Sequence, residues 1–151
     1  MLLDSHLVPE TIAKPGSFVG LMALYESNYL RLFRLIPELD RIDGCFHSCV
    51  VGDCDLHVEI LERCPYTLTL SLTYHIETDD GVLIDPDMTV RTYLDGKLAE
   101  VMAIGECQRH TSLRQLVQEH RRELDRRWRF NIVLNKWLDY LSEQGHLVID
   151  R

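Results

Sequence analysis

The rhythm of apolar and polar positions divides the chain into a helical beginning, a pleated middle and a helical end. Phe18, Leu21, Met22, Tyr25, Tyr29, Leu32, Phe33 and Ile36 recur at steps of three and four. That spacing predicts a helix of about five turns with one apolar stripe. Ser17 is placed to cap its start. Pro37 ends it, because the residue before a proline avoids helical backbone angles. Residues 1–16 hold two prolines, a glycine and no steady period, which predicts a flexible N-terminal arm.

The period changes after Gly44. Residues 45–51 and 54–63 flank Gly52 and Asp53, a two-residue turn that predicts a hairpin. In that register Val51 pairs with Cys54, Cys49 with Leu56, His47 with Val58 and Cys45 with Ile60, all on a face turned to the core. Next, Tyr66, Leu68, Leu70, Leu72, Tyr74 and Ile76 alternate with Thr67, Thr69, Ser71, Thr73, His75 and Glu77. Period two over that length predicts a strand with one buried and one wet face. Residues 77–81 and the Asp85, Pro86, Asp87 turn predict a solvated loop.

Residues 88–94 and 97–104 flank Asp95 and Gly96, a pair that favours a type I′ turn. This register sets Arg91 opposite Glu100 and Tyr93 opposite Leu98 on one face. On the other face Val90 meets Val101 and Thr92 meets Ala99. From about residue 112 helical spacing returns, with Phe130, Val133, Leu134, Trp137, Leu138 and Leu141 in a stripe and Gly145 as a stop. The sequence therefore predicts an α+β fold: a single antiparallel sheet of about five strands packed against N-terminal and C-terminal helices. Residues 17–151 form one domain in this reading.

Composition narrows the class. The longest apolar stretches fall far short of the roughly 20 residues that span a bilayer, so no membrane segment is expected. The first residues have no basic start and no sustained apolar run, so no secretory signal is expected. The five cysteines stand at 45, 49, 54, 64 and 107, with no CxxC among them. They read as reduced thiols of a cytoplasmic protein.

The net charge of −8 argues against generic nucleic-acid binding. The charge is unevenly placed, however. Between residues 109 and 129 seven arginines stand against three acids. Arg114, Arg121, Arg122, Arg126 and Arg129 are candidates for contact with a protein or phosphorylated partner, or else a solvated helix face.

Other constellations offer less specific chemistry. Cys45, Cys49, Cys54 and His57 invite a zinc reading, but the hairpin register puts His57 on the opposite face, so no metal is expected. Cys64 with a histidine lacks the third group that would orient a base, so no catalytic residue is assigned. No phosphate-cradling glycine loop, HExxH or GxSxG occurs. Asn28 and Asn131 sit among apolar residues in two helices, where a buried amide needs hydrogen-bond partners.

Several segments together resemble one family. They are residues 25–37, Glu62 followed by Tyr66 and Thr67, and the run Met88, Thr89, Val90, Arg91, Thr92, Tyr93 with Ala99, Glu100 and Val101 after the turn. Asn131 and Trp137-Leu138 ahead of Gly145 complete the pattern. Their order and spacing resemble the YqiB-like bacterial family of unknown function (DUF1249). The resemblance implies an uncharacterised bacterial protein and brings no known activity or cofactor.

The leading expectation is a non-enzymatic binding or adaptor protein of the bacterial cytoplasm, with an unknown protein partner. An exposed strand edge leaves a homodimer open. The alternative is a small anionic-ligand or nucleotide-handling protein, or an enzyme, using Arg91 to hold a phosphate or carboxylate. Arg91, Tyr93, Glu100, Tyr66 and Asn131 are its candidate ligand-binding residues. The bland reading of Arg91 and Glu100 is a cross-strand ion pair that fixes register.

Overall fold

The computed structural model describes residues 17–105 and 123–149. The 1–16 arm, Arg114, Arg121, Arg122 and the predicted start of the last helix lie outside the described residues. The first helix, α1 (Phe18–Leu35), opens on Ser17, whose Oγ accepts the Gly20 N–H at 3.0 Å. It stops ahead of Pro37, as the sequence requires. Five strands follow: β1 (Cys45–Ser48), β2 (Asp55–Arg63), β3 (Thr67–Thr78), β4 (Gly81–Tyr93) and β5 (Leu98–Ile104). The second helix, α2 (Glu123–Gln144), closes the fold, and Gly145 beyond it takes a left-handed φ of 96°. The strands form one antiparallel sheet in chain order β1-β2-β3-β4-β5.

The sheet buries one face because its central strands alternate. Leu68, Leu70 and Leu72 on β3 are fully buried, beside Leu56 and Val58 on β2, Met88 and Val90 on β4, and Ala99 on β5. Leu32 and Leu35 of α1, and Leu134, Leu138 and Leu141 of α2, roof this face. Removing such a side chain from water contributes about 1.5–3 kcal/mol. The intervening Thr67, Thr69, Ser71 and Thr73 are half-buried on the other face. The β4–β5 register is the predicted one, with Arg91 opposite Glu100, Tyr93 opposite Leu98 and Val90 opposite Val101.

Four stretches depart from the expected pattern. The β1–β2 hairpin is slipped by one residue: Phe46 pairs with Val58, His47 with His57 and Ser48 with Leu56. A one-residue slip turns every side chain to the opposite face. Phe46 thereby packs on the core, whereas Cys45, His47 and Cys49 are exposed. The turn widens to residues 49–54, and Val51 is fully exposed. Burying a phenylalanine in place of two thiols and an imidazole outweighs the preference of Gly52 and Asp53 for a tight turn.

The predicted loop at 77–87 is instead an extension of the β3–β4 hairpin. Pairing jumps from Thr73–Asp87 to His75–Ile84, leaving Asp85 and Pro86 in a bulge. A proline has no N–H to give a ladder, and a bulge is where a strand tolerates one. The β4–β5 turn occupies residues 94–97 and places the left-handed conformation at Lys97 (φ 57°), in place of a tight Asp95-Gly96 turn. Finally, the buried stripe of α1 is rotated. Phe18 and Phe33 are exposed, while Leu24, Ser27, Asn28 and Leu35 are buried. This helix packs on α2 as well as on β5, so its covered face is wider than the sheet alone would make it.

The register generates a direct test. Leu70→Ala should lower unfolding free energy by about 2–5 kcal/mol. Ser71→Ala, one residue along on the other face, should change it by about 0.5 kcal/mol or less. Urea midpoints of the two variants check this, and equal losses would contradict the assigned faces.

Candidate functional site

Three polar constellations stand out against the apolar core. The first is a ladder of amides between the helices. Asn131 is fully buried, and its Oδ1 accepts the Val101 N–H at 2.9 Å and the Asn28 Nδ2–H at 3.2 Å. Its Nδ2 donates to the Arg127 carbonyl at 2.7 Å. Asn135, one turn later, donates to Asn28 Oδ1 at 2.9 Å and to Ser27 Oγ at 3.0 Å. Asn28 and Asn131 therefore serve each other, which is the tie between helices and sheet that buried amides demand. Asn135 and Ser27 were missed by sequence reasoning. The i+4 spacing of Asn135 from Asn131 was the available signal.

The second constellation centres on Glu100, whose side chain is 10% exposed. The Tyr93 hydroxyl donates to its Oε1 at 2.7 Å, and Arg127 Nη1 donates to its Oε2 at 3.3 Å. Tyr25 of α1 faces the same carboxylate and guanidinium, and burial raises its pKa. Burial first, then the bond to Glu100, raises Tyr93 as well, against the nearby Arg91. Arg91, Tyr93 and Glu100 are thus brought together as predicted. The ionic partner of Glu100, however, is Arg127, an arginine that the sequence did not single out. Arg91 is half-buried and forms no ion pair among the described residues.

The other predicted site residues are dispersed. Tyr66 is 66% exposed, and its backbone carbonyl holds the Leu94 N–H at 2.9 Å. Asn131 spends its amide on the ladder and does not share the ring around Glu100. Arg126 stacks its guanidinium 5.9 Å from the Phe130 ring centroid, and Arg126 and Arg129 both lie on α2. Cys45 and Cys49 are exposed and Cys54 is half-buried. Among the described residues no group of three or more His, Cys, Asp or Glu is placed to hold a metal ion. His57 stacks on His75 at a centroid distance of 3.6 Å, with His47 5.8 Å on its other side. Burial, then the charges of His75 and His47, lower the His57 pKa and favour a neutral ring.

The third constellation lies at the opposite edge of the sheet and was absent from the sequence reading. His146, just past α2, places Nδ1 2.9 Å from Ser48 Oγ and Nε2 2.9 Å from Asp53 Oδ2. The Tyr74 hydroxyl donates to Asp53 Oδ2 at 2.7 Å, and the Tyr140 hydroxyl to Oδ1 at 3.4 Å. Burial by itself would raise the Asp53 pKa. The bonds from Tyr74, His146 and the Cys54 amide, with the His146 charge, outweigh it and hold the carboxyl below its usual range. Burial, then the bond to Asp53, pushes the Tyr74 phenol strongly upward. More than ninety residues separate His146 from Ser48 and Asp53, so no local pattern could have joined them.

These features define a small α+β meander whose two helices are pinned to one sheet edge through buried amides. The chain belongs to the family of proteins of unknown function DUF1249, whose profile matches residues 31–147. It is 27% identical over 132 residues to the uncharacterized protein YqiB of Escherichia coli strain K12, covering 87% of this chain and 93% of that one. The YqiB proteins of Escherichia coli O6:H1 and O157:H7 match to the same extent. No solved structure matches the chain. No helix among the described residues is long and apolar enough to cross a membrane.

Two outcomes follow from this geometry. Asn131→Ala orphans the Val101 N–H and a hydrogen of Asn28, each costing about 1–3 kcal/mol. A loss of about 2–4 kcal/mol in urea unfolding is expected, whereas the exposed Glu143→Ala should stay within about 0.5 kcal/mol of wild type. Asp53 has a folded pKa below its unfolded value of about 3.9, so its contribution is present above that pH and disappears as pH falls through the folded value. Thermal midpoints measured from pH 7 to 2.5 should therefore fall more steeply below about pH 4 in wild type than in Asp53→Asn.

Proposed function

We propose that this chain is a cytoplasmic binding protein, and that the outer face of its sheet receives an anionic group of its partner at Arg91. One observation carries the reading. Arg127 and Tyr93 already satisfy Glu100, so the neighbouring Arg91 guanidinium is left half-buried without a carboxylate partner among the described residues. A guanidinium in that position offers a planar fork to a carboxylate or phosphate. Thr69 stands opposite Arg91 on β3, and Thr67 opposite Tyr93, so hydroxyls flank the fork on the same face.

The experiment compares wild type with Arg91→Ala in capture from native bacterial lysate, reading both proteins and metabolites by mass spectrometry. A partner recovered by wild type should fall about tenfold or more with Arg91→Ala, the equivalent of one charge-assisted hydrogen bond. The thermal midpoint of the variant should scarcely move. Equal recovery, or a variant that unfolds, would return Arg91 to a structural role.

A further inference from the structure

The His146 constellation has the parts and order of a nucleophile relay. Asp53 is held ionised by its surroundings and can only accept hydrogen bonds. The His146 nitrogen facing it, Nε2, therefore carries a proton. In the neutral ring Nδ1 is then bare, and the Ser48 hydroxyl donates to it across 2.9 Å. The Leu147 N–H donates to Ser48 Oγ at 3.3 Å, which occupies one oxygen lone pair and leaves the hydroxyl proton for the imidazole. Nucleophile, base and orienting carboxylate thus stand in line, with the ring nitrogens used in the reverse sense to the chymotrypsin arrangement.

A groove opens beside the relay. Ser48 lines an open groove of about 520 Å3 between β1 and the segment after α2. Its walls include Phe46, Leu147 and Ile149, and the last two are 46% and 39% exposed. The side chains of His146 and Asp53 are 0% and 6% exposed and Ser48 is 8% exposed, so base and carboxylate are shielded and the serine lies at the buried margin of the groove. Beside these apolar side chains stand His47 and the thiols of Cys45 and Cys49, and a mixed lining of this kind suits a small acyl ester.

We propose that Ser48 is a nucleophile toward small acyl esters, with His146 as its base and Asp53 holding the ring. Ser48 Oγ bonds to the acyl carbon and its proton passes to His146 Nδ1. The ester C–O bond breaks, and the departing alcohol oxygen takes that proton. Water then gives a proton to His146 and its oxygen to the acyl carbon, and the carboxylic acid leaves as Ser48 regains its proton. This site is independent of the Arg91 face and lies at the other edge of the sheet.

The test uses a fluorophosphonate probe and p-nitrophenyl butyrate on the full chain. The probe should phosphonylate Ser48 with loss of fluoride, located by peptide mass spectrometry, and nitrophenolate should be released from the ester with turnover. Ser48→Ala should abolish both signals, which separates them from attack by the exposed thiols of Cys45 and Cys49. His146→Gln should slow labelling by about a hundredfold or more, with thermal midpoints confirming that each variant is folded. The wild-type adduct map stands without any variant. An unmodified chain after prolonged exposure, or an adduct on another residue, would overturn the proposal and leave the network as a structural tie.

Discussion

The side chain of Asn131 is the point on which the arrangement of helices and sheet depends. An edge strand presents N–H groups that no neighbouring strand receives. On β5 one such group, at Val101, is taken by Asn131 Oδ1, inside a layer where water is excluded. The same oxygen takes Asn28 of α1, and the amide nitrogen holds the carbonyl of Arg127 one turn back. A single buried amide thus sets α2 against β5, α1 against α2, and Arg127 within reach of Glu100. Apolar packing alone would allow the helices to slide, because hydrophobic contact is not directional. The amide ladder fixes the angle and height at which they lie.

The segment that follows α2 closes the other side of the molecule by the same means. Val148 donates its N–H to the Leu35 carbonyl at the end of α1, and Val148 is buried beside it. His146 and Leu147 meet Ser48 at the end of β1. Outside, Arg31 and Asp139 join the helices at 2.8 Å, and Arg31 also donates to Ser27 at 2.7 Å. That ion pair is partly exposed, so it contributes less than the buried amides beneath it. Both edges of the meander are therefore tied to one C-terminal unit.

The slipped first hairpin links fold to site. With Phe46 turned inward, Ser48 also faces inward and reaches His146, while His47 meets His57 outside. The alternative register would have put Cys45 and Cys49 in the core and Ser48 in water. One residue of register thus decides whether the relay exists. It also turns Cys45 to the outer face that carries His57, where the expected register had set the two on opposite faces, and among the described residues no group of three or more His, Cys, Asp or Glu side chains is placed to hold a metal ion.

Much of the fold was legible in sequence because its signals are local. The period of β3, the cap at Ser17, the stop at Pro37 and the β4–β5 register each depend on residues within a few positions of one another. The juxtaposition of Arg91, Tyr93 and Glu100 follows from that register, so half of the candidate site was readable too. Arg127 was not, since its partner lies 27 residues away and seven arginines offered equal claims. Neither was Ser48–His146–Asp53, which joins two stretches of chain nearly a hundred residues apart. The sequence alone determined that one sheet face is apolar and that two helices must cover it, because periodicity is a property of neighbours along the chain. Only the tertiary structure decided which polar side chains meet beneath that cover, because a buried hydrogen bond is chosen by geometry across the whole fold.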